Sequence, residues 1–201
     1  MIEFPKAKQK RLMLPGANGL LEAICKTPDN VNDHAVVLIC HPHPLYQGSM
    51  DNKVVTTLAR AFSDLGYRTC RFNFRGVGKS DGQYDKGEGE TEDALCLSNW
   101  LKDCFPDAAL WLAGFSFGSY IAARVADQQN VKRLVTVGPA VEHFDFVPLH
   151  IQCPWLILQG EADEVVSSAL VRQFVAKTNA QVDFVQFPGV GHFFHGQLNA
   201  L

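Results

Sequence analysis

Nowhere in the 201 residues does an apolar run approach the roughly 18 residues that a membrane span requires. The opening Met1-Ile2-Glu3-Phe4-Pro5-Lys6 has no apolar signal-peptide core, so a cytoplasmic location without membrane attachment is expected. Blocks of like charge are missing as well. Eighteen basic and 21 acidic side chains are spread along the chain for a net charge of −3, which leaves no electrostatic footprint for nucleic acid. Cys-x-x-Cys pairs are absent, and Cys25, Cys40, Cys70, Cys96, Cys104 and Cys153 lie far apart, several inside apolar runs; they read as reduced, mostly buried residues. Repeats, low-complexity stretches and linker-like boundaries are lacking too. What is present, 47% hydrophobic and 19% charged residues, matches an ordinary globular chain, so residues 1–201 are expected to form one domain. A small molecule is the expected partner, and the oligomeric state is left open.

The apolar residues recur in two rhythms. Lys10 to Leu14 and Leu20 to Lys26 flank the turn signal Pro15-Gly16-Ala17-Asn18-Gly19 and read as an antiparallel hairpin. Six short apolar runs follow: Ala35 to Cys40, Tyr67 to Phe74, Ala109 to Gly114, Arg133 to Val137, Pro154 to Gln159 and Val182 to Phe187. Runs of this composition suit strands buried on both faces. Helical spacing separates them at Asn52 to Leu65, Glu90 to Asp103, Phe117 to Gln128 and Ser168 to Lys177; the first presents Val54, Val55, Leu58, Ala61, Phe62 and Leu65 on one face. Alternation of strand and helix predicts an α/β fold, with a mainly parallel sheet, right-handed crossovers and helices on both faces. Pro139 to Cys153 breaks the alternation and is too short for a folded lid.

Gly114-Phe115-Ser116-Phe117-Gly118 falls between one of those strands and the helix after it. A Gly-x-Ser-x-Gly turn in that context lifts the serine hydroxyl above the sheet, while small flanking residues let strand and helix approach. Ser116 is the expected nucleophile. The Phe117 amide, at the helix N-terminus, is the first expected oxyanion donor. Read without that context, Ser116 is only a helix cap.

A serine hydroxyl needs a base, and the base needs a carboxylate to fix its tautomer, in the chain order serine, acid, histidine for this architecture. Asp163, in the loop Gly160-Glu161-Ala162-Asp163-Glu164 after a strand, is the expected acid, with Glu161 and Glu164 as competitors. His192, after Pro188-Gly189-Val190-Gly191, is the expected base, with His195 as competitor. The second oxyanion donor is sought in Cys40-His41-Pro42-His43-Pro44-Leu45-Tyr46-Gln47-Gly48. Pro42 and Pro44 have no N–H, leaving the His43 amide first and that of Leu45 as the alternative. Leu45, Tyr46 and Phe115, with Phe117, Phe144 and Phe146, are the candidate substrate-binding wall.

These motifs, together with Met50-Asp51-Asn52-Lys53 and Phe72-Asn73-Phe74-Arg75-Gly76-Val77-Gly78-Lys79-Ser80-Asp81-Gly82, make nearly the whole chain resemble the compact, lidless bacterial α/β-hydrolases related to dienelactone-hydrolase-like and serine-aminopeptidase-like proteins. Many relatives carry His-Gly and a large residue where this chain has His41-Pro42-His43-Pro44, and their last helix is expected to be short or missing here. The resemblance implies a serine hydrolase, expected to be a carboxylesterase, that cleaves carboxylic esters or related acyl bonds of small substrates through an acyl-enzyme, without a cofactor. Lactonase or aminopeptidase specificity is an alternative within that class, and a catalytically silent binding protein is one outside it. Two other readings are weaker. Gly78-Lys79-Ser80 imitates a phosphate-binding loop, but position 73, where that motif needs glycine, is Asn73. His41 and His43 imitate metal ligands, yet both flank prolines in a strand-end loop, and no metal is expected.

Overall fold

The computed structural model describes residues 2–201. Eight strands form one sheet: β1 (Gln9–Gly16), β2 (Gly19–Lys26), β3 (Ala35–Cys40), β4 (Arg68–Phe72), β5 (Ala109–Phe115), β6 (Arg133–Val137), β7 (Trp155–Gly160) and β8 (Val182–Phe187). They lie in the order β1-β2-β4-β3-β5-β6-β7-β8. The β1–β2 hairpin turns at Ala17-Asn18 and joins β4 antiparallel; every pair from β4 to β8 is parallel.

Four helices cross over the sheet: α1 (Lys53–Asp64), α2 (Glu88–Cys104), α3 (Phe117–Gln128) and α4 (Ser168–Lys177). Val54, Val55, Leu58 and Phe62 of α1 pack with Val37, Ile39, Ala113 and Phe115 on one face of the sheet. On the other face Leu97, Trp100, Ile121, Val125 and Val171 from α2, α3 and α4 meet Val36, Leu38, Leu112 and Leu134. Alternation along β3 therefore feeds two cores, which is why its six residues are all buried and all apolar.

Two expectations are corrected. Strand β8 is a half-exposed edge strand in which Asp183 and Val185 face solvent, because nothing pairs beyond it. Leu65, at the C-terminal cap of α1, is 65% exposed and lies outside that helix's apolar face.

Residues 138–154, between β6 and β7, contain turns and bends with neither helix nor strand, so among the described residues no lid is built over the carboxyl end of the sheet. After His192 the only regular element among the described residues is a 3₁₀ turn, Leu198–Ala200. All six cysteines are free; Cys25, Cys40, Cys70 and Cys153 are buried. None of the described helices is long and apolar enough to cross a membrane.

Candidate active site

Because β3, β5, β7 and β8 run parallel, their carboxyl ends open on one edge of the sheet, and each supplies one piece of the site. At the end of β5, Ser116 adopts φ 55° and ψ −118°, a left-handed backbone that a non-glycine residue accepts only when its surroundings hold it there. Close packing does so. A Cβ on Gly114 would lie 2.1 Å from the Gly118 carbonyl oxygen, and one on Gly118 would lie 2.3 Å from the Cys40 carbonyl oxygen. The Ser116 amide donates to the Val137 carbonyl at 2.9 Å, and the Ser119 hydroxyl donates to Gly114 at 3.0 Å, fixing both legs of the turn.

Asp163 and His192 come together from the loops after β7 and β8. The His192 Nδ1–H donates to Asp163 Oδ2 at 2.8 Å, with both side chains about 98% or more buried. The Val165 and Val166 amides donate to Asp163 Oδ1 at 2.9 and 2.7 Å, and Gln159 Nε2 donates to Oδ2 at 3.0 Å. Burial pushes the Asp163 carboxyl up, but the bonds from His192 and the two amides outweigh it and hold the group below the usual carboxylate range. The His192 ring is walled by Phe115 (4.8 Å between ring centres) and Phe193 (5.0 Å), while the buried Phe194 ring anchors its loop against Phe187.

Of the competitors for the acid and base positions, Glu164 accepts the His192 backbone N–H at 3.1 Å and so braces the loop, and Glu161 is exposed. His195 stacks on Phe193, away from Asp163.

Ser116 and His192 share a cleft of about 520 Å³ with Pro42, His43, Tyr46, Phe117, Phe144 and Phe193 among its walls, and no Asp, Glu, Lys or Arg lines it. The Leu45 amide is spent on His43 Nδ1 at 3.2 Å, whereas the His43 amide has no hydrogen-bond acceptor among the described residues. Three wall candidates are corrected. Leu45 is 67% exposed and lies outside the cleft. Phe115 is fully buried beneath His192, since it is the last inward residue of β5. Phe146 is buried against Tyr120, Trp155 and Phe174.

His41 is buried and structural. Its Nδ1–H donates to the Pro42 carbonyl at 2.6 Å and its Nε2 accepts the Phe74 N–H at 2.9 Å, so both ring nitrogens are committed to backbone. Met50 and the Asn73 to Gly82 motif also serve the frame. Asn73 donates to the buried Glu22 at 2.8 Å and accepts the Met50 amide at 2.9 Å, while Lys79 of the phosphate-loop imitation gives its amide to Glu22 at 3.0 Å.

Sequence reasoning passed over Gly138 and Gln159. At φ 52°, Gly138 lets the His192 ring approach: a Cβ there would lie 3.0 Å from its Cε1. Its only signal was a glycine directly after an apolar strand. Gln159, the penultimate residue of β7, faces three acceptors, Asp163 Oδ2 and the Gly160 and Val166 carbonyls, which fixes the orientation of its amide. No pattern in the sequence marked that glutamine.

A family model for the alpha/beta hydrolase fold matches residues 35–152, more than half of the chain. An α/β serine hydrolase homologue from Coxiella burnetii is 46% identical, with a TM-score of 0.93 over 95% of this chain and 92% of its own. A serine hydrolase without a lid from Xanthomonas campestris is 37% identical, with a TM-score of 0.94 over 100% of this chain and 92% of its own. An uncharacterised protein of Rickettsia prowazekii is 38% identical over 172 residues, 79% of this chain and 71% of that protein. The chain belongs to the α/β-hydrolase family, and fold and neighbours together support hydrolase activity.

Proposed function

We propose that this protein is a serine hydrolase that cleaves carboxylic esters of small apolar acyl groups through Ser116, His192 and Asp163. The observation that carries the proposal is the buried Asp163–His192 pair, 2.8 Å apart, whose histidine lines the same cleft as a serine held at positive φ.

Asp163 keeps the Nδ1–H tautomer, leaving Nε2 to accept the Ser116 proton as Oγ attacks the ester carbonyl. The Phe117 amide at the α3 N-terminus and the acceptor-free His43 amide hold the oxyanion. His192 returns the proton to the leaving oxygen, and a water deprotonated by the same ring releases the acid from the acyl-enzyme. Asp163 stabilises the transient imidazolium and stays ionised throughout, consistent with its lowered pKa.

The uncharged walls favour apolar acyl groups. They oppose an aminopeptidase reading, because an α-ammonium has no carboxylate to meet among the described cleft residues. In a panel of p-nitrophenyl acetate, butyrate and octanoate, small lactones and aminoacyl p-nitroanilides, the short esters are expected to turn over with an initial burst of nitrophenol. The anilides should be slower by about a hundredfold or more, because an anilide is a poorer leaving group than a nitrophenolate and the α-ammonium finds no partner in the cleft. Anilides matching the esters, or no ester turnover at all, would overturn the proposal.

A further inference from the structure

The cleft does not end at Phe193. Asn52 and Phe193 also line a second hollow of about 270 Å³, whose other walls are Asp51, Lys53, Val54 and His195. The two hollows differ in chemistry: the first has no Asp, Glu, Lys or Arg in its wall, and the second has an acid and a base, Asp51 and Lys53. They also differ in their relation to the reacting atoms. In acyl transfer the leaving oxygen collects its proton from His192, so the alcohol portion departs on the His192 side. Phe193, next in the chain and 5.0 Å from the His192 ring, is the partition between the hollows on that side. Tyr46, Phe117 and Phe144 supply the aromatic wall of the first cleft, which suits it to the acyl group.

The sign of the second hollow follows from its ion pairs. Asp51 is held by Arg71 at 2.7 Å and by Arg11 at 3.2 Å, and Arg11 also binds the buried Glu22 at 2.7 Å. Burial pushes the Asp51 carboxyl up, but its two guanidinium partners outweigh this and hold it below its usual range, so it stays ionised and already matched. Lys53 forms no ion pair among the described residues. Three cations (Arg11, Arg71, Lys53) thus stand against two carboxylates (Glu22, Asp51), and the uncompensated charge is positive. His195, stacked on Phe193 at 5.6 Å, adds a ring N–H donor at the same wall.

We propose that the second hollow is the leaving-group subsite and that it selects esters whose alcohol portion carries an anionic oxygen group. The proposal rests on the hydrolase reading above and assigns its substrate a polarity: an apolar acyl part under Tyr46 and Phe144, and an anionic alcohol part reaching past Phe193 to Lys53.

Three aryl acetates of one shape test it: 3-acetoxybenzoate (anionic), 3-acetoxybenzamide (neutral) and 3-acetoxyphenyl-trimethylammonium (cationic). Each kcat/KM is divided by the ester's own hydroxide hydrolysis rate, which removes differences in leaving-group ability. At an ionic strength of about 10 mM the anionic ester is expected to exceed the cationic one about tenfold, and the gap should shrink at about 0.5 M salt. Lys53→Glu places a carboxylate in the first turn of α1, where the helix tolerates it, and should reverse the anion-to-cation ratio. Equal normalised rates for all three esters, or a ratio unmoved by Lys53→Glu, would overturn the subsite while leaving the hydrolase reading intact. No turnover of any of the three would overturn both.

Discussion

Replacing His192 with alanine is expected to lower kcat for a short aryl ester by about 10⁴- to 10⁶-fold, with Ser116→Ala falling into the same range and the double variant scarcely lower. The near-equality is the informative part. If Ser116 Oγ attacks only when His192 takes its proton, removing either partner removes the whole step, so the losses do not add. Asp163→Asn should cost about 10⁴-fold, because an amide in place of Oδ2 turns a donor toward Nδ1 and favours the wrong tautomer. These variants should fold, since the turn that carries Ser116 is held by backbone packing at Gly114 and Gly118, which the substitutions leave alone. Steady-state kinetics checks all four against the parent, and additive losses would contradict a shared proton-transfer step.

The second large effect is on stability. Complete burial pushes His41 down to about 3, while an unfolded histidine titrates near its ordinary 6.5. Below about pH 6.5 the unfolded chain therefore takes up a proton that the folded chain refuses, and stability falls with pH until about pH 3. The contribution is fully present above pH 6.5. Between pH 7 and 4.5 it amounts to a loss of about 2–3 kcal/mol. His43, lowered by burial and by His143, adds in the same direction. Asp163, Glu22 and Asp51 are lowered carboxyls and destabilise only at more acidic pH, below about 4. Urea unfolding at stepped pH should show the slope between 6.5 and 4.5 in the parent and a flatter one in His41→Gln, whose amide can still accept the Phe74 N–H. An unchanged slope would show that His41 is not buried neutral.

Most of what places the site was legible in the sequence, for a local reason. Ser116, Asp163 and His192 each follow an apolar strand at a glycine-marked turn, and a parallel sheet delivers the ends of its strands to one edge whatever its detailed packing. Side-chain direction was less legible. Phe115 and Phe117 flank the same serine, yet the strand sends one beneath His192 and the helix presents the other to the cleft. Leu45 and Tyr46 are neighbours in one 3₁₀ turn, and only the tyrosine lines the cleft. His41 and His43 look alike as residues, and their roles separate only because β4 brings the Phe74 amide to His41. Gly138 was passed over, and Glu164 was weighed only as a rival acid, because each meets His192 across at least 28 residues of chain, a relation that no local pattern records. The exposed face of β8 was misread because an apolar run does not tell an edge strand from a central one.

The central claim is that Ser116 is a nucleophile activated by His192. Treatment with a fluorophosphonate, followed by peptide mapping in a mass spectrometer, tests it most directly. The expected result is a single phosphonyl adduct on Ser116 in the parent, formed far more slowly in His192→Ala and blocked by prior incubation with a short aryl ester. A parent protein that hydrolyses esters while its Ser116 stays unlabelled, or that labels equally fast without His192, would contradict the account.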